Sequence, residues 1–268
     1  MEQGAVVGGY RIIDKVGEGG LSVVYKTKHL LLERDAALKI LKPNLRNRQI
    51  QRFLQGSKAA ATLKHPNIAL IYSTGTHEGM HYVAEEYLEG KNLGNIIAEP
   101  GFNYQTGVSL LLDVLSALEY AHKNEVVHCD IKPFNVQLDK DGKPHIIDFD
   151  FGGMLTDSLD EKFKVCVFGT VGYIAPERFI WGMRTDTRAD LFSVGAILYE
   201  MLTHTLPYEN KDGTFSVAIS EDLVAPRSIN PEVPEELEKI CMKALEIDRE
   251  KRFQTAEEFS DALAGFSK

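Results

Sequence analysis

The chain has 268 residues, 44% hydrophobic and 26% charged, an ordinary globular balance that suits one large domain or two lobes sharing a cleft. Thirty Lys and Arg against 39 Asp and Glu give a formal charge of −9, which argues against nucleic acid or an anionic membrane surface as the main partner and leaves room for a local basic pocket. Cys129, Cys166 and Cys241 lack metal-ligand spacing and read as free thiols of a reducing cytoplasm; no apolar run looks long enough to cross a membrane, and no signal peptide is evident.

Residues 1–9 are small and Gly-rich and read as a flexible lead-in. Tyr10-Arg11-Ile12-Ile13 opens a strand, and Gly17-Glu18-Gly19-Gly20-Leu21-Ser22-Val23-Val24-Tyr25 makes a glycine turn into a second strand. Such a hairpin lets backbone N–H groups approach phosphates. A dinucleotide fingerprint would need a helix next, but Val23-Val24-Tyr25-Lys26 has strand character, so that reading fails on context. Taken alone, the glycines would be an ordinary turn. Asp35 to Leu41 alternates as a strand and carries Lys39. Residues 47–63 form a helix with Ile50, Phe53, Leu54, Ala60 and Leu63 as its apolar stripe. Ile68 to Ile71 and His81 to Ala84 read as two further strands, with Gly75 and Gly79 bounding the turn between them. Residues 104–124 make a strongly apolar helix, with Val108, Leu111, Leu112, Leu115, Leu118 and Ala121, which is expected to be buried. Residues 234–246 and 255–264 close the chain as amphipathic helices, the second with a capping-box pattern at Thr255.

The densest chemistry lies in Val127-His128-Cys129-Asp130-Ile131-Lys132-Pro133-Phe134-Asn135. An acid, a cation and an amide fall within six residues, and a phosphoryl-transfer site needs all three. The acid orients or deprotonates a hydroxyl, the lysine neutralises charge on the moving group, and the asparagine offers an oxygen to a hard divalent cation. Thirteen residues past Asn135, after His145-Ile146-Ile147, Asp148 supplies a second hard oxygen. Any one of these residues alone would be part of a solvated turn; the ordered set is not.

This nonapeptide resembles the catalytic loop of protein kinases, H-R-D-x-K-x-x-x-N followed by D-F-G, and Asp-Ile-Lys-Pro resembles the serine/threonine branch and, more faintly, its bacterial eukaryotic-like members. The resemblance covers about residues 10–265. It implies an α+β fold, the bilobal protein kinase fold, with a small β-rich N-lobe (10–86) carrying one main helix, a hinge (86–90) and a larger α-helical C-lobe (91–268). It implies ATP and Mg2+ as cofactors, and a protein Ser/Thr hydroxyl, with autophosphorylation included, as acceptor. Asp130 is then the base and hydroxyl positioner, Lys132 stabilises the γ-phosphoryl group, and Lys39 holds the α- and β-phosphates. Val16, Gly17, Glu18, Gly19, Gly20, Leu21 and Ser22 form the loop over the phosphates; Val24 and Ala37 cover the adenine; Glu86 and Leu88 line its edge; Gln137 lies under it. Asn135 and Asp148 hold the metal. Thr170 bonds Asp130 and Lys132, Asp190 holds the loop from below, Arg252 pairs with Glu177, His128 packs beneath the loop, and Thr156 and Ser158 are candidate phosphorylation sites.

Several positions depart from the pattern. The helix glutamate that pairs with the strand lysine is Gly56 here, and Gln55 points roughly 100° away around the helix. Gly56 also weakens that helix by about 1 kcal/mol relative to Ala. Glu85 falls where an apolar residue normally closes the back of the nucleotide pocket, and an unpaired buried carboxylate is costly. Glu85 replacing the lost glutamate as partner of Lys39 makes the two oddities one swap; a one-residue register error or an exposed Glu85 is the competing reading. Cys129 replaces the arginine that meets an activation-loop phosphate, so activity should depend less on that phosphorylation. Gln137 replaces an apolar floor. D-F-G matches Asp150-Phe151-Gly152 by letter and Asp148-Phe149-Asp150 by spacing; loop length favours the spacing, with Asp150 in the glycine's place. These departures keep open a pseudokinase that binds nucleotide as a scaffold. A small-molecule kinase of the aminoglycoside-phosphotransferase type shares the H-x-D…N…D core, but Gly169-Thr170…Ala175-Pro176-Glu177, Asp190 and Arg252 argue for a protein substrate.

Overall fold

The computed structural model describes residues 1–149, 152–154, 170–180, 184–208 and 223–266. The alternating segments at the start of the chain become β1 (Val6–Val7), β2 (Tyr10–Glu18), β3 (Ser22–His29), β4 (Asp35–Leu41), β5 (Ile71–His77) and β6 (Met80–Glu86), one antiparallel sheet in the order β1-β2-β3-β4-β6-β5. Successive strand residues face opposite sides, and the burial follows that period. Ala36, Leu38 and Ile40 pack on one side with Tyr10, Ile12, Tyr25, Tyr82 and Ala84. Leu41 and Val83 pack on the other, against Phe53 of helix α1 (Asn47–Ala60). Lys39 and Glu85 share this second side by the same alternation.

Three expectations need correcting. Residues 1–9 are not merely a loose lead-in: Val6–Val7 pairs with β2, and Val7 is 1% exposed. Gly8 (φ +56°) makes the bend possible, since a Cβ there would come within 2.2 Å of the Tyr82 ring. The strand placed at 68–71 lies instead at Ile71–His77, and Gly75 sits inside it because the Tyr82 hydroxyl occupies the space of a side chain, 2.6 Å from a built Cβ. The turn follows at Glu78 and Gly79, both with positive φ. Helix α1 ends before Leu63, where Thr62 and Leu63 donate to Ala59 and Ala60 in a tightened last turn.

The second half is helical. It comprises α2 (Leu93–Ile97), α3 (Tyr104–Lys123), α4 (Arg188–Thr203), α5 (Pro226–Ile229), α6 (Glu235–Ala244) and α7 (Ala256–Phe266). Short strand pairs, β7 (Val126–Val127) with β10 (Gly153–Met154) and β8 (Val136–Leu138) with β9 (Pro144–Ile146), lie between α3 and α4 in the chain. Helix α3 buries Val108, Leu111, Leu115, Leu118 and Ala121 of the expected stripe, whereas Leu112 is only half-buried. Helix α4 is buried almost all round, as a helix at the centre of a core must be. Half of the capping box at α7 forms: the Glu258 N–H donates to Thr255 Oγ1 at 3.0 Å, but the Glu258 carboxylate accepts from Gln254. Among the described residues no helix is long and apolar enough to cross a membrane.

Candidate active site

Strands β7 and β8 bracket the loop that carries Asp130. Its backbone turns at Cys129, which has φ +66°, and a 3-10 turn over Pro133–Asn135 brings Asn135 back beneath it. Asp130, 6% exposed, accepts from Lys132 Nζ at 2.8 Å and from Asn135 Nδ2 at 3.1 Å; Asn135 Nδ2 also donates to the Asp130 carbonyl at 2.8 Å. Lys132 donates in addition to Thr170 Oγ1 at 2.9 Å. Of the two partners expected for Thr170, Lys132 is thus the one observed.

The loop rests on a buried acid. Asp190, fully buried in the first turn of α4, accepts from the N–H groups of His128 and Cys129 at 2.9 and 2.8 Å and lies 2.9 Å from His122 Nε2. Burial pushes its carboxyl up, but the His122 and backbone contacts outweigh that and hold it below the usual carboxylate range. His128 receives the Asp130 N–H on Nδ1 (3.1 Å), so Nε2 carries the proton that goes to the Ile147 carbonyl (2.9 Å). Burial pushes the His128 pKa down. It is a neutral scaffold, as its packing role requires. Cys129 offers its carbonyl to Arg178, and burial pushes its thiol pKa up, against a reactive role. Glu177 and Arg252 form a bidentate pair at 2.7 and 2.8 Å, both essentially buried.

The other half of the site hangs from the sheet. Cross-strand partners share a face, and the register pairs Gly17 with Val24, Val24 with Lys39, Lys39 with Val83 and Ala37 with Glu85. Val24, Ala37, Lys39 and Glu85 therefore line one surface. Lys39 Nζ lies 2.9 Å from Glu85 Oε1 and 3.0 Å from Oε2, and it also pairs with Asp148. Glu85 is 4% exposed, which rules out the exposed reading. Burial pushes its carboxyl up, Asp148 acts in the same direction and Lys39 opposes both. Gly56 is buried on α1 while Gln55 is exposed, so neither supplies an acid.

Asp148 has φ +72°, and the next residue, Phe149, is 6% exposed with its ring 4.4 Å from that of His128. Asp150, Phe151, Thr156, Ser158, Cys166 and Gly169 lie outside the described residues. In the glycine turn, the Gly19 N–H donates to the Ser22 carbonyl at 2.9 Å, and nothing stands within 4 Å of a Cβ built on Gly20. The Glu18 side chain is taken by Lys15 and Lys42 at 2.7 and 2.6 Å, and the Lys15 hydrogen bond, with Lys42 second, holds its carboxyl down at about 2. The turn thus presents backbone rather than the Glu18 carboxylate. Val16 is exposed, Ser22 is buried and Leu21 packs toward Leu41 and Phe53. Glu86 exchanges hydrogen bonds with Leu70, and Leu88 follows, half-buried. Gln137 does not present its amide freely under the sheet: its Nε2 donates to the Gly90 carbonyl at 2.7 Å.

Sequence reasoning missed Arg178 and His122, which hold the loop and its buried acid. Each is a single polar residue, Arg178 buried and His122 half-buried, with no periodic or motif signal of its own. The link from Gln137 to Gly90 was equally invisible, because it depends on two segments meeting.

The protein kinase domain family matches residues 10–262. A probable serine/threonine-protein kinase of Clostridium perfringens is 37% identical over 97% of this chain and 38% of its own length. The serine/threonine-protein kinase PrkC of Bacillus subtilis is 32% identical over 94% of this chain and 40% of its own. The chain therefore spans well under half the length of these relatives. Among solved structures, the kinase domain of PknI from Mycobacterium tuberculosis, crystallised as a point mutant, superposes with a TM-score of 0.80 at 22% identity, covering 100% of this chain and 99% of that one.

Proposed function

This chain belongs to the protein kinase domain family, with serine/threonine kinases as its relatives, and from that premise we propose that it transfers the γ-phosphoryl group of ATP to a Ser or Thr hydroxyl of a protein, with Mg2+. The observation that carries the reading is Asp130, gripped by Lys132 and Asn135 at 2.8 and 3.1 Å and backed by buried Asp190. A carboxylate fixed on two sides is oriented before a substrate arrives, and much of phosphoryl transfer is positioning and charge stabilisation. Lys132 stands between Asp130 and Thr170, where it meets the moving phosphoryl group. Lys39 holds the α- and β-phosphates. The backbone from Val16 through Ser22 covers them, with Val24 and Ala37 above the adenine, Glu86 and Leu88 along its edge within the hinge at 86–90, and Gln137 below.

The donor set fits Mg2+: Asn135 spends its amide nitrogen on Asp130, so its oxygen is the atom left for a cation, and Asp148 adds a carboxylate. Two protein oxygens suit an ion that also takes phosphate oxygens and water. Bound there, Mg2+ would neutralise phosphate charge. The acceptor is a protein hydroxyl, this chain's own included, and the cytoplasm is the compartment in which ATP and free Cys129 and Cys241 thiols coexist.

Labelled ATP offered with this protein and a generic basic protein tests the reading. Magnesium-dependent transfer should occur and should fall by about 10²- to 10⁴-fold in Asp130→Ala. Nucleotide binding without any transfer by the unaltered protein would sink the kinase reading and favour a scaffold.

A further inference from the structure

We infer that Glu85 is the positioning residue of Lys39, and that it frees this lysine from control by helix α1. The inference rests on the reading of the chain as an ATP-dependent kinase and names how the lysine of that site is regulated.

Lys39 and Glu85 stand on adjacent strands, one rung apart on one face: Ala37 is opposite Glu85 and Lys39 opposite Val83. Backbone hydrogen bonds hold those strands at about 4.8 Å. The two side chains are 3% and 5% exposed and meet at 2.9 Å. Separating the charges would require breaking sheet pairing or leaving the Glu85 carboxylate buried apart from Lys39. Helix α1 offers no alternative, because Asn47–Ala60 reads NRQIQRFLQGSKAA, without a single Asp or Glu. No rotation or translation of that helix brings a carboxylate to Lys39.

A helix that packs on a sheet through side chains is able to shift as a unit by an ångström or two, whereas two rungs of one sheet move together. Phe53, with Ile50 and Leu54, packs α1 on the Leu41 and Val83 face, and none of the three carries a charge to the lysine. Lys39 therefore keeps its place whatever α1 does. Asp148 also reaches Lys39 but arrives from the segment beyond β9, so Glu85 is the partner built into the same sheet as the lysine.

The test compares the unaltered protein with Glu85→Gln and Gln55→Ala. Glu85→Gln keeps the volume and removes the charge. Its kcat/KM for MgATP should fall by about 10- to 100-fold, while Gln55→Ala, on the exposed side of α1, stays within about twofold. A second readout needs no transfer: the Lys39 side chain, followed by NMR relaxation of isotope-labelled lysine at a single pH, should become more mobile in Glu85→Gln and stay rigid in Gln55→Ala, with thermal unfolding confirming that both variants are folded. A Lys39 side chain as rigid in Glu85→Gln as in the unaltered protein overturns the inference. So does a Gln55→Ala that loses as much as Glu85→Gln. If the unaltered protein transfers no phosphate, the kinase reading fails, and the Lys39 mobility still decides the role of Glu85.

Discussion

Asp130 and Lys39, which we propose serve one site, are held in different ways. Asp130 is held by its own neighbourhood in the chain, with Lys132 and Asn135 two and five residues away, and by charged props beneath it in Asp190 and Arg178. Lys39 is held by strand register, with the acid of its own sheet, Glu85, 46 residues away on another strand. The first kind of support tolerates change in distant elements and fails when a prop is removed. The second needs no acid from α1, which carries none, because the sheet supplies Glu85.

The sharpest way to break the comparison is through the props of the helical half. Arg252→Met leaves the Glu177 carboxylate buried without its bidentate partner, so the unfolding free energy should fall by about 3–5 kcal/mol in urea denaturation. Replacing both residues with apolar ones of similar volume should recover most of that. A single variant as stable as the unaltered protein would show that the charge props are ornamental. In the sheet half, Gly8→Ala forces a Cβ to within 2.2 Å of the Tyr82 ring at φ +56° and should cost about 1–3 kcal/mol by the same method. No loss would mean that residues 1–9 are the loose lead-in their composition suggests.

The smallest effect returns to the helical half. Tyr208 and Tyr199 donate to the carbonyls of Leu245 and Val224, and burial pushes both phenols up to about 12. A raised folded pKa means that the folded state keeps its proton while the unfolded chain, titrating near 10, loses it. The stabilisation is full below pH 10 and is lost as pH rises through about 12. Thermal unfolding across that window should show a falling midpoint, and a shallower fall in Tyr208→Phe; parallel curves would remove Tyr208 from the account.

The same contrast explains what was legible in the sequence. Asp130, Lys132 and Asn135 declare themselves because their chemistry is packed into consecutive residues. Lys39 and Glu85 were legible only as one of two readings, because the acid missing at Gly56 and a carboxylate in an apolar place fit one swap or a slip of register; the strand pairing that puts them on one face decides it. Loop length favours Asp148 over Asp150, which lies outside the described residues. The Gly-rich start was misread because glycine serves a packed bend and a loose end equally well, and only the Tyr82 ring distinguishes them. Gly75 misled for a related reason: within a strand it admits a neighbour's side chain, yet it reads as punctuation.

Buried Glu85 has a last consequence, for small molecules. A compound that fills the surface formed by Val24 and Ala37, where we propose the adenine lies, and extends further along the same face meets an ion pair where an apolar wall would have welcomed a hydrophobic arm. To seat such an arm it must displace a carboxylate from Lys39 with nothing to offer in return, and unpaired buried charge is among the strongest grounds for rejection. The pair that sets the lysine is also a chemical sieve: it penalises greasy extensions and leaves the compact, polar outline of a nucleotide untouched.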